Sequence, residues 1–197
     1  MSGMRKISLR DAAAVCARSP VKYAAIIAIG ATTGCRISEI TALRRRDLID
    51  PETGKFREVV AFLKLKARRG PRTRKMTIPP RWRKFVIRHL AAEADRGHTR
   101  PDEFVFRGQH GKPLSRIAVY RYFRDRLGSG FGTHWMRKTF AYEMFQHFLK
   151  QNSSDPMRAL ELTRRALGHA RIDTTVKYLS IDDIAITDAQ NAVFNSR

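Results

Sequence analysis

Cysteine is scarce in this sequence: the 197 residues contain only Cys16 and Cys35. Neither belongs to a CxxC or CxxH pair, which excludes a disulfide-rich scaffold and leaves a zinc site without support. We therefore expect both cysteines to be reduced, buried thiols. P-loop and metal-ligand motifs are also missing, so the sequence implies no cofactor.

Long apolar runs are missing as well. No stretch approaches the ~18 consecutive apolar residues that a membrane-spanning helix needs, and the N-terminus lacks the pattern of a secretory signal. These absences predict a soluble, cytoplasmic protein with no membrane partner. Repeats, low-complexity segments and linker-like stretches are not found either, so we expect one compact domain.

Acidic residues are few relative to basic ones. The chain has 18 Asp and Glu against 39 Lys and Arg, a formal net charge of +21. Such an excess in a chain that is 43% hydrophobic is typical of a folded protein that neutralises nucleic-acid phosphates. Charge alone does not separate an enzyme from a DNA-binding protein.

The first forty residues carry helical patterns. They predict a helix over 8–18 and a second from Pro20 to a C-terminal cap at Gly34, with the apolar run 23–31 in the core. A third helix begins next to Arg36, where backbone N–H groups point outward. Its buried stripe is expected to be Ile37, Ile40 and Leu43.

The middle of the chain changes character. Residues 57–67 and 73–79 are typical of two short strands, joined by a basic turn at 68–71. Later periodicity predicts helices over 81–96, 115–127, 134–150, 156–167 and 172–179, and a tail helix from about 182. The predicted fold class is mainly α with a small antiparallel β-sheet.

Two segments bring together residues that suit phosphate chemistry. His134 and Arg137 are three positions apart, so on a helix both side chains leave from one face. Further on, a Leu-Gly-His sequence ends at His169, and Tyr178 follows one short helix later. Either segment alone is weak evidence, because a lone HxxR pair or a single tyrosine more often serves packing.

With a third segment, Gly34-Cys-Arg36-Ile-Ser-Glu39, these motifs resemble the tyrosine recombinase, or phage integrase, family. All three occur in the family's order, and the resemblance spans roughly residues 20–180. It implies the tyrosine recombinase catalytic-domain fold over 1–180, followed by a C-terminal tail over 181–197. Such enzymes carry out site-specific recombination: integration, excision, inversion or resolution.

The resemblance also implies roles. Arg36 and Arg137 would clamp the scissile phosphate, and His134 and His169 would hydrogen-bond it or manage protons. Tyr178 would attack it to give a 3′-phosphotyrosyl bond. Two guanidinium groups suit a pentavalent transition state without a metal. Retention of the bond energy makes ATP unnecessary for religation.

A hairpin lysine is expected to protonate the leaving 5′ oxygen. Lys64 and Lys66 project from the same strand face, so alternation does not choose between them. The family's lysine usually lies just before the turn, which favours Lys66; Lys75 on the return strand ranks third. The hairpin's other cationic residues are expected to bind DNA phosphates, namely Lys64, Arg68, Arg69, Arg72 and Arg74.

Other polar and aromatic residues near the motifs are given structural roles. Glu39 is expected to hold the arginine region through a hydrogen bond or ion pair, and Lys138 to be neutral variation. Trp135 and Phe140 are expected to pack their helix. The remaining histidines, His89, His98, His110 and His147, lack a matching motif and are assigned to the surface or to helix packing.

The family usually has an N-terminal arm of ~100 residues. The resemblance here begins by about residue 20, so we expect a protein without this arm. Either a short natural member, such as the enterobacterial recombinases that invert a fimbrial promoter segment, or a truncated chain would fit. Binding to double-stranded DNA should then be salt-dependent and rely on assembly, as a tetramer on synapsed DNA and with possible accessory DNA-bending proteins. The tail from Ser180 to Arg197 would dock either on a neighbouring subunit or on the subunit to which it belongs.

Two other functions remain open at this point. A type IB topoisomerase-like relaxer uses a similar tyrosine and basic residues but needs no partner site. A catalytically silent DNA-binding protein, or more remotely an RNA-binding protein, would account for the charge alone. The compact Leu-Gly-His to Tyr178 motif favours the recombinase. The expected setting is prokaryotic, phage or plasmid, in association with the nucleoid.

Overall fold

In the computed structural model, residues 7–64, 72–152 and 155–179 are described. The chain divides into two compact units, Met1–Phe140 and Ala141–Arg197. Over these described stretches, every helix is too short or too polar to cross a membrane. Helices dominate and a two-stranded antiparallel sheet accompanies them, which confirms the predicted fold class.

The first unit is built around helix α2. Its helices are α1 (Leu9–Arg18), α2 (Val21–Thr33), α3 (Ile37–Thr41), α4 (Arg45–Leu48), α5 (Pro80–Ala94) and α6 (Arg116–Leu127), with a short 3-10 turn at Gln109–Gly111. Of the apolar run 23–31 predicted for the core, Ala24 to Ala31 are buried and Tyr23 is partly buried. Helices α1, α3 and α5 pack against this central rod.

The ends of α2 follow from its sequence. Pro20 precedes the first turn, where its missing N–H costs nothing. Gly34 ends the helix in the left-handed conformation, with φ 60° and ψ 19°. The chain then turns into α3, whose Ile37, Ile40 and Leu43 are buried as predicted. Helix α2, which leads to the arginine motif, therefore has a buried end whose position is set by Gly34.

The sheet is a hairpin of β1 (Val59–Lys64) and β2 (Arg72–Thr77). The strands are antiparallel, and Phe62 lies opposite Arg74 in the register. β1 begins two residues later than the predicted run 57–67, and β2 ends two residues before the end of the predicted run 73–79. Residues 65–67 of the first run lie outside the described residues. The predicted basic turn lies outside the described residues.

Helix α7 (Trp135–Gln151) contains the boundary between the units, and α8 (Pro156–Leu167) and α9 (Ile172–Leu179) belong to the second. The Asp155 side chain accepts hydrogen bonds from two backbone N–H groups at the start of α8. Gly168 ends that helix in the left-handed conformation. The predicted tail helix lies outside the described residues, and the domain boundary at residue 180 stays a prediction.

Candidate active site

The first group of candidate residues lies on the turn between α2 and α3, residues 33–36, which we call the arginine turn. Arg36 occupies the extended N-cap position of α3. Its backbone N–H donates to Glu39 Oε2 at 3.0 Å, and its Nη1 donates to Glu39 Oε1 at 3.0 Å. Glu39 is 4% exposed, whereas Arg36 is 38% exposed. Glu39 therefore has the holding role predicted for it.

Two further arginines hold the arginine turn from separate elements. Arg137, in the first turn of α7, is buried and donates from Nη1 to the carbonyl oxygen of Gly34. Arg74, on β2, donates from Nη2 to the Thr33 carbonyl oxygen at 3.1 Å and to Cys35 Sγ at 2.8 Å. Both contacts join residues distant in sequence, so the turn is a product of tertiary folding.

The turn also depends on the absence of a side chain at Gly34. A Cβ placed there would lie 2.3 Å from Cδ1 of Phe140, far inside van der Waals contact. The positive φ is a second reason for glycine at this position. Phe140 is buried, as the sequence predicts, and so is Trp135.

His134 lies in the turn one residue before α7, whereas the prediction placed it at the first position of a helix over 134–150. Its pKa is lowered from the usual histidine value by partial desolvation first, and then by the positive charges of Arg137 and Arg36. Arg116 and Lys138 lower it further. These shared charges show that Arg36, His134 and Arg137 belong to one electrostatic cluster, in which the imidazole is favoured in its neutral form.

The second group of candidate residues follows α8, at the turn of Gly168 and His169, which we call the histidine turn. Arg164, in the last turn of α8, donates from Nη1 to the His169 carbonyl oxygen at 2.7 Å. Glu161 braces Arg164 with two hydrogen bonds, 2.6 Å to Nε and 2.7 Å to Nη2. The arginine bonds lower the pKa of Glu161 to about 2.

The His169 ring lies between two residues of α9. Its Nδ1 is 3.0 Å from the hydroxyl oxygen of Thr175, which is fully buried. The ring centroid is 5.5 Å from that of Tyr178, with the planes inclined at 66°. His169 itself is 7% exposed. The second unit thus presents a half-buried tyrosine edge-to-face with the His169 ring, whose Nδ1 lies beside the Thr175 hydroxyl.

The predicted site residues therefore form two clusters, one in each unit: Arg36, His134 and Arg137 in the first, His169 and Tyr178 in the second. Lys66, Arg68 and Arg69 lie outside the described residues, and Lys64 and Arg72 are located by the backbone register alone. Sequence reasoning missed the inward contacts of Arg74, the charge of Arg116 on His134, and the contacts of Arg164 and Thr175 with His169.

One cluster suits an anion and the other a nucleophile. Two guanidinium groups beside a neutral imidazole match the charge and hydrogen-bonding needs of a phosphate. A tyrosine beside an imidazole matches a hydroxyl that must lose its proton. Across the part of the chain that is described, acidic, histidine and cysteine side chains form no group suited to a metal ion.

Comparison with known proteins agrees with this chemistry. The chain matches the Phage integrase family over residues 4–184. The probable integrase/recombinase YoeC of Bacillus subtilis (strain 168) is 30% identical over 87 residues, which cover 42% of this chain and 43% of that protein. The chain thus aligns with less than half the length of this curated relative.

Solved structures share the fold. The XerA recombinase gives a TM-score of 0.65 at 20% identity, over 98% of this chain and 66% of that chain. XerH site-specific recombinase bound to palindromic difH substrate gives 0.63 at 16%, over 95% and 53%. The Tn1549 transposon integrase with circular intermediate DNA gives 0.57 at 20%, over 90% and 61%. The fold is that of tyrosine recombinase catalytic domains, and the chain belongs to the phage integrase family.

Proposed function

We propose that this protein is a site-specific recombinase that cleaves and rejoins DNA through a 3′-phosphotyrosyl bond on Tyr178. One observation carries the proposal. Arg137, from the second motif, donates to the carbonyl oxygen of Gly34 in the first, 103 residues away in sequence. This contact brings residues of the first and second motifs together in one cluster of positive charge, which supports an anion-binding role.

In the proposed reaction, Arg36 and Arg137 bind the non-bridging oxygens of the scissile phosphate. Charge builds on these oxygens as the phosphorus becomes pentavalent, and fixed guanidinium donors stabilise it most where the site is already organised. Arg137 is buried and bonded to the backbone, so little reorganisation is needed. His134 adds a neutral hydrogen-bonding group to the same phosphate.

The nucleophile is the Tyr178 hydroxyl. A tyrosine has a reference pKa of ~10, so it needs an acceptor for its proton as it attacks. The Thr175 hydroxyl lies 3.0 Å from Nδ1 of His169. We propose that the His169 imidazole exchanges protons with the nucleophile or binds the phosphate. The Tyr178 oxygen forms the new bond to phosphorus as the bond to the 5′ oxygen breaks.

The leaving 5′ oxygen takes a proton from a lysine of the hairpin, for which we propose Lys66 ahead of Lys64. Religation is the reverse. A 5′ hydroxyl attacks phosphorus and gives its proton back to the hairpin lysine, and the Tyr178 oxygen leaves phosphorus and recovers its own proton. No bond energy is lost, so atoms and charges balance without ATP. Lys64, Arg68, Arg69 and Arg72 of the hairpin are proposed to bind DNA phosphates, whereas the Arg74 guanidinium donates to the arginine turn.

Double-stranded DNA is the proposed substrate. The net charge of +21 suits it, and the XerH and Tn1549 structures contain DNA. Recombination joins strands from two sites, so we propose a tetramer on synapsed DNA, with accessory DNA-bending proteins as possible partners. The tail over 181–197 is proposed to couple neighbouring subunits.

Covalent capture on nicked suicide DNA tests the proposal. The wild-type protein should form an adduct that survives denaturing electrophoresis, and Tyr178→Phe should form none while binding DNA equally. Tyr120→Phe, at an exposed position on α6, is the matched control and should behave as wild type. Tight binding without any adduct would favour a DNA-binding protein, and supercoil relaxation without strand exchange a topoisomerase-like enzyme.

A further inference from the structure

Arg74 lies on the strand of the hairpin that returns toward the core. Its strand partner is Phe62, which is fully buried. Its neighbours Thr73 and Lys75 are exposed, whereas Arg74 is half-buried. Strand alternation therefore directs Arg74 inward and Lys75 outward.

The Arg74 guanidinium binds two consecutive parts of the arginine turn. Nη2 donates to the Thr33 carbonyl oxygen and to Cys35 Sγ. The Thr33 carbonyl lies in the last turn of α2, and Cys35 directly precedes Arg36. The backbone N–H of Cys35 also donates to the Thr33 hydroxyl at 3.3 Å. Burial raises the pKa of the Cys35 thiol, so the sulfur accepts as a neutral group.

We propose that Arg74 is a positioning residue that fixes the arginine turn, and through it the guanidinium of Arg36, for transition-state binding. Resting on the proposed function, this assigns Arg74 a role other than contact with DNA phosphates. Arg137 holds the Gly34 carbonyl between the two groups that Arg74 holds. Three consecutive residues of the turn are thus bonded to guanidinium groups from β2 and α7.

Two arginines on one turn are expected to matter because Arg36 itself is partly exposed and extends toward solvent. A long side chain keeps one geometry only if its backbone and its carboxylate partner keep theirs. Glu39 orients the guanidinium of Arg36, and Arg74 holds the preceding backbone. A displacement of about 1 Å at a reacting group lowers a rate by about 100-fold.

The test compares the rate of covalent adduct formation with DNA affinity for Arg74→Met and Arg88→Met. Arg88 is exposed on α5, so its variant loses the same charge from the same unit. We expect Arg74→Met to form adduct about 10- to 100-fold more slowly, with its dissociation constant for DNA within about two-fold of Arg88→Met. Thermal unfolding of both variants verifies folding. A weakened affinity with an unchanged rate of cleavage by the bound protein would overturn the proposal.

A second substrate separates the arginine turn from the hairpin. When sulfur replaces the 5′ bridging oxygen, the leaving thiol needs no proton donor, since its pKa is near 8.5. This substrate should rescue variants of the hairpin lysine, because that lysine acts as the acid. It should leave the defect of Arg74→Met in place. Full rescue would mean that Arg74 merely supports the hairpin, and the proposal would be wrong.

Variants of Cys35 test whether Arg74 affects adduct formation through its contact with the Cys35 sulfur. Cys35→Ala removes one of the two acceptors and should slow adduct formation less than Arg74→Met does, while Cys35→Ser keeps an acceptor and should restore most of the rate. In the Cys35→Ala background, Arg74→Met should cost less than it does alone, because the two residues share a contact. Additive losses would contradict the shared path. Absence of any wild-type adduct would instead refute the proposed function.

Discussion

The arginine turn of the first unit and the histidine turn of the second are built alike. Each follows a helix that ends at a left-handed glycine, Gly34 with φ 60° and Gly168 with φ 65°. In each, an arginine donates to a backbone carbonyl of the turn. Helix termini leave carbonyl groups without partners, and a guanidinium satisfies them while orienting the next residue.

The two turns differ in where those arginines come from. Arg74 and Arg137 reach the arginine turn across 41 and 103 residues of sequence. Arg164 is five residues from His169, in the helix that the turn ends. The arginine turn therefore exists only when the first unit is folded, whereas most of the histidine turn is specified locally. Changes in the first should affect stability and chemistry together, and changes in the second mainly chemistry.

The largest expected effect is that of Gly34→Ala on the free energy of unfolding. The left-handed conformation costs alanine about 1–2 kcal/mol, and overlap with Phe140 adds about 1–3 kcal/mol. We expect a total loss of about 3 kcal/mol by chemical denaturation. Gly54→Ala is the matched control: its φ is 67°, and nothing lies within 4 Å of the added Cβ. Gly54→Ala should lose only about 1–2 kcal/mol, which is what the left-handed conformation costs. Equal losses would show that packing against Phe140 is unimportant.

The next effect sharpens the contrast by breaking the histidine turn. Arg164 and Arg165 both bond to Glu161, but only Arg164 has a described bond to His169. Arg164→Met should slow adduct formation about 10-fold through displacement of the histidine, with a small change in unfolding free energy. Arg165→Met should stay within about two-fold of wild type. A large loss of global stability in Arg164→Met would contradict local specification of this turn.

The sequence predicted the helices of the second unit well because their ends are chemically marked. Asp155-Pro156 begins α8 and Gly168 ends it, and the structure gives the predicted ranges 156–167 and 172–179. Helix α4 was missed, since four residues are too short to show helical periodicity. At the ends away from the turn, strand pairing stops two residues short of each predicted run, because β-branched composition does not mark where pairing stops.

The candidate site residues were predicted from motifs. Arg36, His134, Arg137, His169 and Tyr178 stand in three spaced motifs, and the structure gathers them into two clusters. Arg74 was expected only to bind DNA, because alternation indicates which side a residue faces and not what it meets there. Its partners lie 39 and 41 residues away. The Glu161 and Arg164 pair, by contrast, has the i,i+3 spacing that sequence can indicate.

A smaller effect is expected at Thr175, whose variants test the contact between α9 and the His169 ring. Thr175→Val keeps the shape but removes the hydroxyl that meets Nδ1 of His169. Loss of that partner should mix the ring tautomers and slow adduct formation by about 3- to 10-fold. Thr175→Ser should restore the rate. Nitrogen-15 NMR of the His169 ring reports the tautomers, and an unchanged spectrum in Thr175→Val would remove this role from the hydroxyl.

The smallest expected effect concerns the charge of His134, and it is specific to the first unit. Desolvation and then the charges of Arg137, Arg36 and Arg116 lower its pKa in the free protein. A bound phosphate places negative charge against the same arginines, so the pKa of His134 should rise on DNA binding and protons should be taken up. Affinity should then strengthen as pH falls through the histidine range near ~6.5.

Proton NMR titration of the His134 ring, with and without uncleaved DNA, measures this shift directly. Arg116→Met provides an independent check, since removal of one positive charge should raise the pKa of His134 in the free protein and leave less to be gained on binding. A pKa that DNA leaves unchanged would show that the phosphate does not approach the arginine cluster. Because His134 is exposed and close to these charges, its ring reports phosphate binding before any bond is cut.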